Sequence, residues 1–236
     1  MELQHVDIFF QVIVFLFAIS VHESAHAWMA NRRGDPTAAM LGRISLNPIR
    51  HIDPFGTIML PAIGLLTGAP VIGWAKPVPV DPRNFKNVVR DDIATSVVGP
   101  ISNFLVVAIA LVLLLGLAFS PDGRTAIVSA LQFKFMQGFV LRSESVLVPI
   151  ALLLYNAIFI NVLLAMFNLI PLPPLDGSHV IRHLLPEHLQ GTFQMVGMVV
   201  LLGLVVMRVP FLSPLVTPVL NFVNAIIMTT VRGLGA

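Results

Sequence analysis

Cysteine is absent from this 236-residue chain. That excludes disulfides, thiolate metal ligands and cysteine nucleophiles, and leaves histidine and carboxylate as the strong metal ligands. Charge is scarce too: 11% of residues are Asp, Glu, Lys or Arg, where a soluble globular domain carries about 25%. The net charge is only +2. Without a continuous basic face, nucleic acid is not an expected partner. The first apolar stretch has neither a basic leader nor a small-residue cleavage site, so it reads as a retained span. No internal repeat or low-complexity tract is visible.

What fills the space is apolar. Hydrophobic residues make up 56% of the chain, and the mean hydropathy is +0.89. The composition belongs to a membrane protein. Long apolar runs at 6–30, 93–119, 146–170, 192–206 and 215–231 predict spanning helices, because crossing a ~30 Å core takes roughly 20 residues at 1.5 Å each. The run Phe55–Leu66 is too short for that. Gly68–Pro82 contains Pro70, Pro77, Pro79 and Pro82 and cannot be helical. Ser120–Ser145 reads as a loop whose semi-apolar middle leaves an interfacial helix open. The expectation is an all-α bundle of about five to six transmembrane helices, one polytopic domain over 1–236, with a re-entrant or short β segment at 55–79.

Basic residues orient the bundle, since cytoplasmic loops collect them. With the N-terminus outside, ten Lys and Arg fall in the cytoplasm and four outside, of the 14 in the chain. Both flanks of Phe55–Pro79 are then basic and want the same face, which predicts re-entry rather than a span.

The sharpest local signal is His22-Glu23-Ser24-Ala25-His26. On a helix the three ionisable side chains share about a third of the circumference. Two neutral imidazoles at i and i+4 can hold a zinc ion, and the neighbouring carboxylate can take a proton from an activated water. A carboxylate within a span costs about 2.5–3.5 kcal/mol even on lenient scales, and a metal compensates all three groups at once. A helix-end polar cluster snorkelling to headgroups is the bland alternative.

Catalytic zinc usually takes three protein ligands, and Asp53, Asp81, Asp91, Asp92, Asp176 and Glu187 are the acids at hand. Asp176 stands out, because it closes a span through Asn168-Leu169-Ile170-Pro171-Leu172-Pro173-Pro174-Leu175-Asp176-Gly177. Irregular backbone at membrane depth has to be buried in protein or line a wet cavity. A capping Asp is the competing reading. Gly99-Pro100-Ile101-Ser102-Asn103 is weak alone, since Asn103, like Asn156 and Asn161, can simply join two helices. Asn168, opening the Pro-rich turn, is the better candidate for touching substrate. His5, His51, His179, His183 and His188 read as non-ligands. His179 and His183 are spaced i, i+4, but no acid accompanies them at the motif spacing.

Together, His22-Glu23-x-x-His26, Gly99-Pro100-x-x-Asn103 and Asn168-x-x-Pro171-x-Pro173-x-Leu175-Asp176-Gly177 resemble the site-2 proteases, zinc-dependent intramembrane metalloproteases of the M50 type. Gly73-Trp74-Ala75-Lys76-Pro77-Val78-Pro79-Val80 resembles their compact bacterial branch. The resemblance implies one zinc per chain, bound by His22, His26 and Asp176, with Glu23 as general base. Asn103 and Asn168 would line the site, and Asn168 would steady the substrate backbone or the developing oxyanion. It also implies membrane-protein substrates with a transmembrane segment, cut within the bilayer of the plasma membrane, with the active site towards the cytoplasmic face. The rival reading is a metal or proton transporter using the same cluster as a relay. Against it stands the lack of any second copy of a motif, which transporter repeats would supply.

Overall fold

The structure is a computed structural model that describes residues 3–67, 73–135 and 145–235. Among these residues every regular element is helical. Five helices are long and apolar enough to cross a membrane, namely α1 (Leu3–Arg33), α4 (Val88–Leu117), α6 (Leu147–Asn168), α8 (Glu187–Val206) and α9 (Ser213–Gly233). The protein is a multi-pass membrane protein. The shorter helices are α2 (Thr37–Met40), α3 (Leu60–Thr67), α5 (Pro121–Phe135) and α7 (Gly177–Arg182). In the stretch 120–145, read as a loop with a helix left open, the described residues hold the 15-residue helix α5.

The short apolar run begins as a π-helical turn, Pro54–Met59, and continues as α3. Asp53 starts it by accepting from the backbone N–H groups of Phe55 and Gly56. Fourteen residues at 1.5 Å reach only ~21 Å, short of the ~30 Å core. Residues 73–80 have no regular structure, as the prolines require. The rest of the sequence-predicted re-entrant segment, 68–72, lies outside the described residues.

The chain divides into two compact units. One comprises 1–18, 104–163 and 215–236. Its core includes Leu114, Ile127, Leu152, Ile158 and Ile227. Asp7 is buried there, neutralised by Lys134 at 2.6 Å and bonded by Gln11 and Asn156. Such pairing lets an ionised carboxylate persist away from water.

The other unit comprises 19–103 and 164–214. Within it the end of α1 runs antiparallel to the start of α4: Arg33 meets Asp91, His26 meets Thr95 and His22 meets Asn103. The Pro-rich turn 169–176 follows α6. Its Ile170 and Leu175 bury against Leu201 of α8, and the Pro173–Pro174 bond is cis. Gly197 lets α8 approach this turn, since a Cβ there would lie 2.4 Å from the Pro173 ring. Ile170, Pro173 and Leu175 of the irregular turn are thus buried in protein, whereas Leu169, Pro171 and Pro174 are exposed.

Candidate metal centre

Near its end α1 presents His22 and His26 one turn apart, both buried. Their rings meet edge to face with centroids 4.6 Å apart, and the two Nε2 atoms are 3.0 Å from each other. Asp176, between the Pro-rich turn and α7, brings Oδ2 to 3.1 Å from His22 Nε2 and 3.4 Å from His26 Nε2. Its carboxylate makes no capping bond to α7, so helix capping does not account for it. Gly177 makes the close turn possible: a Cβ there would fall 2.4 Å from the Leu169 carbonyl oxygen.

The hydrogen bonds behind the rings decide what faces inward. His26 Nδ1 is 2.6 Å from the Thr95 carbonyl, which can only accept, so Nδ1 carries the proton. His22 Nδ1 is 2.6 Å from Asn103 Oδ1, which accepts in the same way. With the protons on Nδ1, both Nε2 atoms offer lone pairs to the same point. Asp176 Oδ2 is buried there without a hydrogen-bond donor.

Three acceptors crowded within 3.4 Å repel one another unless a cation sits between them. Tetrahedral zinc with bonds of ~2.0–2.1 Å places its ligand atoms about 3.3 Å apart, so the donor set fits that ion. Among the described residues, this is the one group of three His or acidic residues whose donor atoms lie within 4.8 Å of one another.

One stripe of α4 builds the wall behind this group. Asp92, Thr95, Gly99 and Asn103 lie within about 80° of each other at 100° per residue. Gly99 must be glycine: a Cβ would lie 2.3 Å from His26 Nε2 and 2.7 Å from His22 Cε1.

Glu23 is half-buried, and its charge reaches two buried groups of the following loop, Arg43 and His51. Burial pushes the Arg43 pKa down and the Glu23 charge works against it. Burial likewise lowers the His51 pKa, opposed by its bond to the Ser45 carbonyl at 2.7 Å. Arg43 donates to the Lys76 carbonyl and the Lys76 N–H to the His51 carbonyl. Thr57 donates to the Trp74 carbonyl. These bonds fasten the irregular 73–76 stretch to the loop beside the centre. Asn168 donates to the Leu164 carbonyl one turn back. A cavity of about 230 Å³, lined by Val97, Leu169, Pro171, Gly177, Val180 and Ile181, reaches Asp176.

Four of the other candidate acids are engaged elsewhere. Asp53 starts the π turn, Asp81 pairs with Arg83 at 2.6 Å, and Asp91 accepts from the Asn87 N–H. Asp92 accepts from His179 Nδ1 at 3.0 Å and His183 Nε2 at 2.7 Å. His179 and His183 therefore do have an acidic partner, supplied by another helix. A motif search along one segment misses it. The signal that could have found Asp92 and Thr95 is the 3-4-4 spacing of polar and small residues on one face of a membrane helix.

Comparison with known proteins places the chain among metalloproteases. The family model for peptidase family M50 matches residues 10–207. "Putative zinc metalloprotease YwhC" of Bacillus subtilis (strain 168) is 34% identical over 205 residues, 86% of this chain and 80% of that protein. "Putative zinc metalloprotease Rip2" of Mycolicibacterium smegmatis is 30% identical over 189 residues, which are 78% of this chain and 61% of that protein. No solved structure matches.

Proposed function

The chain belongs to peptidase family M50, whose members are zinc metalloproteases of membranes, and from that premise we propose that it hydrolyses peptide bonds within or near the transmembrane segments of membrane-protein substrates. The observation that carries this reading is the His22–His26–Asp176 donor group, whose histidines stand beside Glu23 on a helix long and apolar enough to cross a membrane. When bound, zinc supplies Lewis-acid polarisation of the peptide carbonyl and a water acidic enough to react near neutral pH.

The remaining work falls to the chain's own residues. His22, His26 and Asp176 hold the metal. Thr95 and Asn103 fix the tautomer and ring orientation of the two histidines, as second-shell partners do. Glu23 takes one proton from the attacking water and passes it to the departing amine. The oxygen, keeping its second proton, joins the carbonyl carbon as the C–N bond breaks, giving a carboxylic acid and an amine, which become carboxylate and ammonium when that proton passes to the amine. Asn168, at the mouth of the Pro-rich turn, contacts the substrate backbone or the developing oxyanion. The apolar cavity against Asp176 excludes water beside the reacting bond and suits an apolar side chain of a membrane segment.

The charge bias supports an external N-terminus, and five spans then put the end of α1, the start of α4 and the 169–182 segment on the cytoplasmic side. Residues 55–79 would dip into the bilayer and return to that face. The test of this topology is labelling of intact cells with a membrane-impermeant thiol reagent. Thr67→Cys should stay unlabelled from outside and Asp122→Cys should react. Asp122 is the right probe because it is exposed, whereas a Cβ at neighbouring Gly123 would collide with the Leu117 carbonyl at 1.9 Å.

The activity itself is tested with purified protein and model single-span substrates, with zinc present, chelated and restored. Cleavage should follow the metal and be lost in Glu23→Gln, which keeps its zinc. A Glu23→Gln protein that binds zinc and still cuts at the normal rate removes Glu23 from the mechanism.

A further inference from the structure

Asp92, His179 and His183 form a second cluster of two imidazoles and one carboxylate, which the reaction above does not use. Asp92 is 9% exposed at its side chain and His183 14%. Both rings address the same oxygen, Asp92 Oδ2, at 3.0 and 2.7 Å. Those are hydrogen-bond distances, and the cluster does not bring three donor atoms within 4.8 Å of one another as the metal centre does. One carboxylate oxygen receives two N–H groups, each of which a neutral imidazole can supply.

Its position gives it leverage. Asp92 lies on the α4 stripe that also carries Thr95, Gly99 and Asn103, the groups behind His26 and His22. His179 is three residues beyond Asp176 and His183 is one turn further on, so the two rings fasten α7 about 4.5 Å along the helix from the third donor. α7 has six residues and no side-chain cap, and so short a helix is not stable by itself. The segment before it is irregular. The turn is anchored on one side of Asp176 by Ile170 and Leu175, and the tie to Asp92 is the anchor on the other side. Metal bonds tolerate only about 0.2 Å of error.

We propose that Asp92, acting through His179 and His183, is a positioning residue that sets the third metal ligand and thereby the zinc affinity. This rests on the reading of Asp176 as a ligand. By this inference one helix, α4, holds all three ligands: His26 by a backbone carbonyl, His22 by an amide and Asp176 through the α7 clamp.

The test is zinc affinity of the full-length chain in detergent, measured by competition with a chromophoric chelator, beside the thermal stability of the metal-free protein. Asp92→Ala should weaken zinc binding by about tenfold or more, within the 10–100-fold range of outer-shell partners. His183→Leu should weaken it several-fold. His183→Gln, which keeps an N–H near the same place, should remain within about twofold of wild type. If Asp92→Ala fails to fold, the His183→Leu and His183→Gln pair decides.

Wild-type affinity in Asp92→Ala or His183→Leu, whatever their melting temperature, overturns the inference and leaves a structural brace. A stoichiometry of two zinc ions per wild-type chain also overturns it, since the cluster would then be a metal site. Asp176→Ala separates this idea from the one beneath it. Should Asp176→Ala keep full affinity, the ligand set itself is wrong. Should it lose zinc while Asp92→Ala does not, only the clamp falls.

Discussion

Two clusters in the same unit have the same ingredients, two histidines at i, i+4 and one aspartate from another element, yet opposite chemistry. At His22, His26 and Asp176, the ring protons point away to Thr95 and Asn103, so three acceptors face each other and a cation is needed between them. At His179, His183 and Asp92, the ring N–H groups point at the carboxylate and satisfy it. The lesson is that the inventory of a histidine–carboxylate cluster does not say what it does. The partner behind each ring chooses the tautomer, and the tautomer chooses between a metal and a hydrogen bond.

The comparison breaks most severely at the metal centre's own carboxylate. Asp176→Ala should abolish stoichiometric zinc by metal analysis, whereas Asp53→Ala and Asp81→Ala should leave it intact, since those carboxylates serve a helix start and Arg83. Full zinc in the Asp176 variant would mean another residue completes the centre.

Gly99→Ala should come close behind. Its Cβ would sit 2.3 Å from His26 Nε2, so α4 and α1 must separate or the ring must rotate. Zinc content and cleavage should both fall strongly while the five spanning helices persist by circular dichroism. The other cluster, three turns away along the stripe at most, should be undisturbed. Unchanged zinc affinity in Gly99→Ala would show that the wall behind the rings is compliant.

Asn103→Ala removes only the acceptor behind His22 and should lower zinc affinity about 10–100-fold. Asn103→Asp, which restores an acceptor, should recover most of it. If both variants behave as wild type, the tautomer argument fails for His22.

The smallest effect belongs to a buried carboxylate outside both clusters. Asp35 accepts from the Thr37 N–H and hydroxyl, the Asn84 amide and the Asp81 N–H. Burial raises its pKa, but these bonds more than offset that and hold it below the ordinary value of 3.8. A depressed pKa means stability that is present at neutral pH and lost as pH falls below the unfolded value. Asp35→Ala should cost about 1–3 kcal/mol at pH 7 from the orphaned donors. The deficit should shrink as pH approaches 3, followed by thermal melts at each pH. A deficit that is constant with pH would assign the cost to packing instead of charge.

Much of this was legible without coordinates. The apolar runs predicted the five long helices, because a bilayer forces backbone groups to bond within a helix and sets its length. His22, Glu23 and His26 were legible because spacing on a helix is local geometry. The prolines at 70, 77, 79 and 82 excluded helix over Gly68–Pro82 for the same local reason; among the described residues 73–81 are irregular, while Pro82 opens a 3-10 turn to Asn84, where a proline is tolerated at the first position. Helix α5 was not legible, since its sequence is neither apolar enough to demand a span nor strongly enough patterned to demand an interfacial helix.

Which acid joins the histidines is a matter of another order. The Pro-rich turn singled out Asp176 as unusual, but contacts with other elements, among them Ile170 and Leu175 on α8, accompany the placing of its oxygen 3.1 Å from His22. Asn103 was readable as helix-joining glue, and it does join α4 to α1, but the atom it meets, a ring nitrogen of His22, was not readable. His179 and His183 lacked an acid within their own segment, and Asp92, 87 residues from His179, supplies it. Sequence fixes periodicity along one chain segment, because backbone geometry repeats every few residues. The direction of a lone pair depends on the atom across from it, and that atom belongs to a different helix.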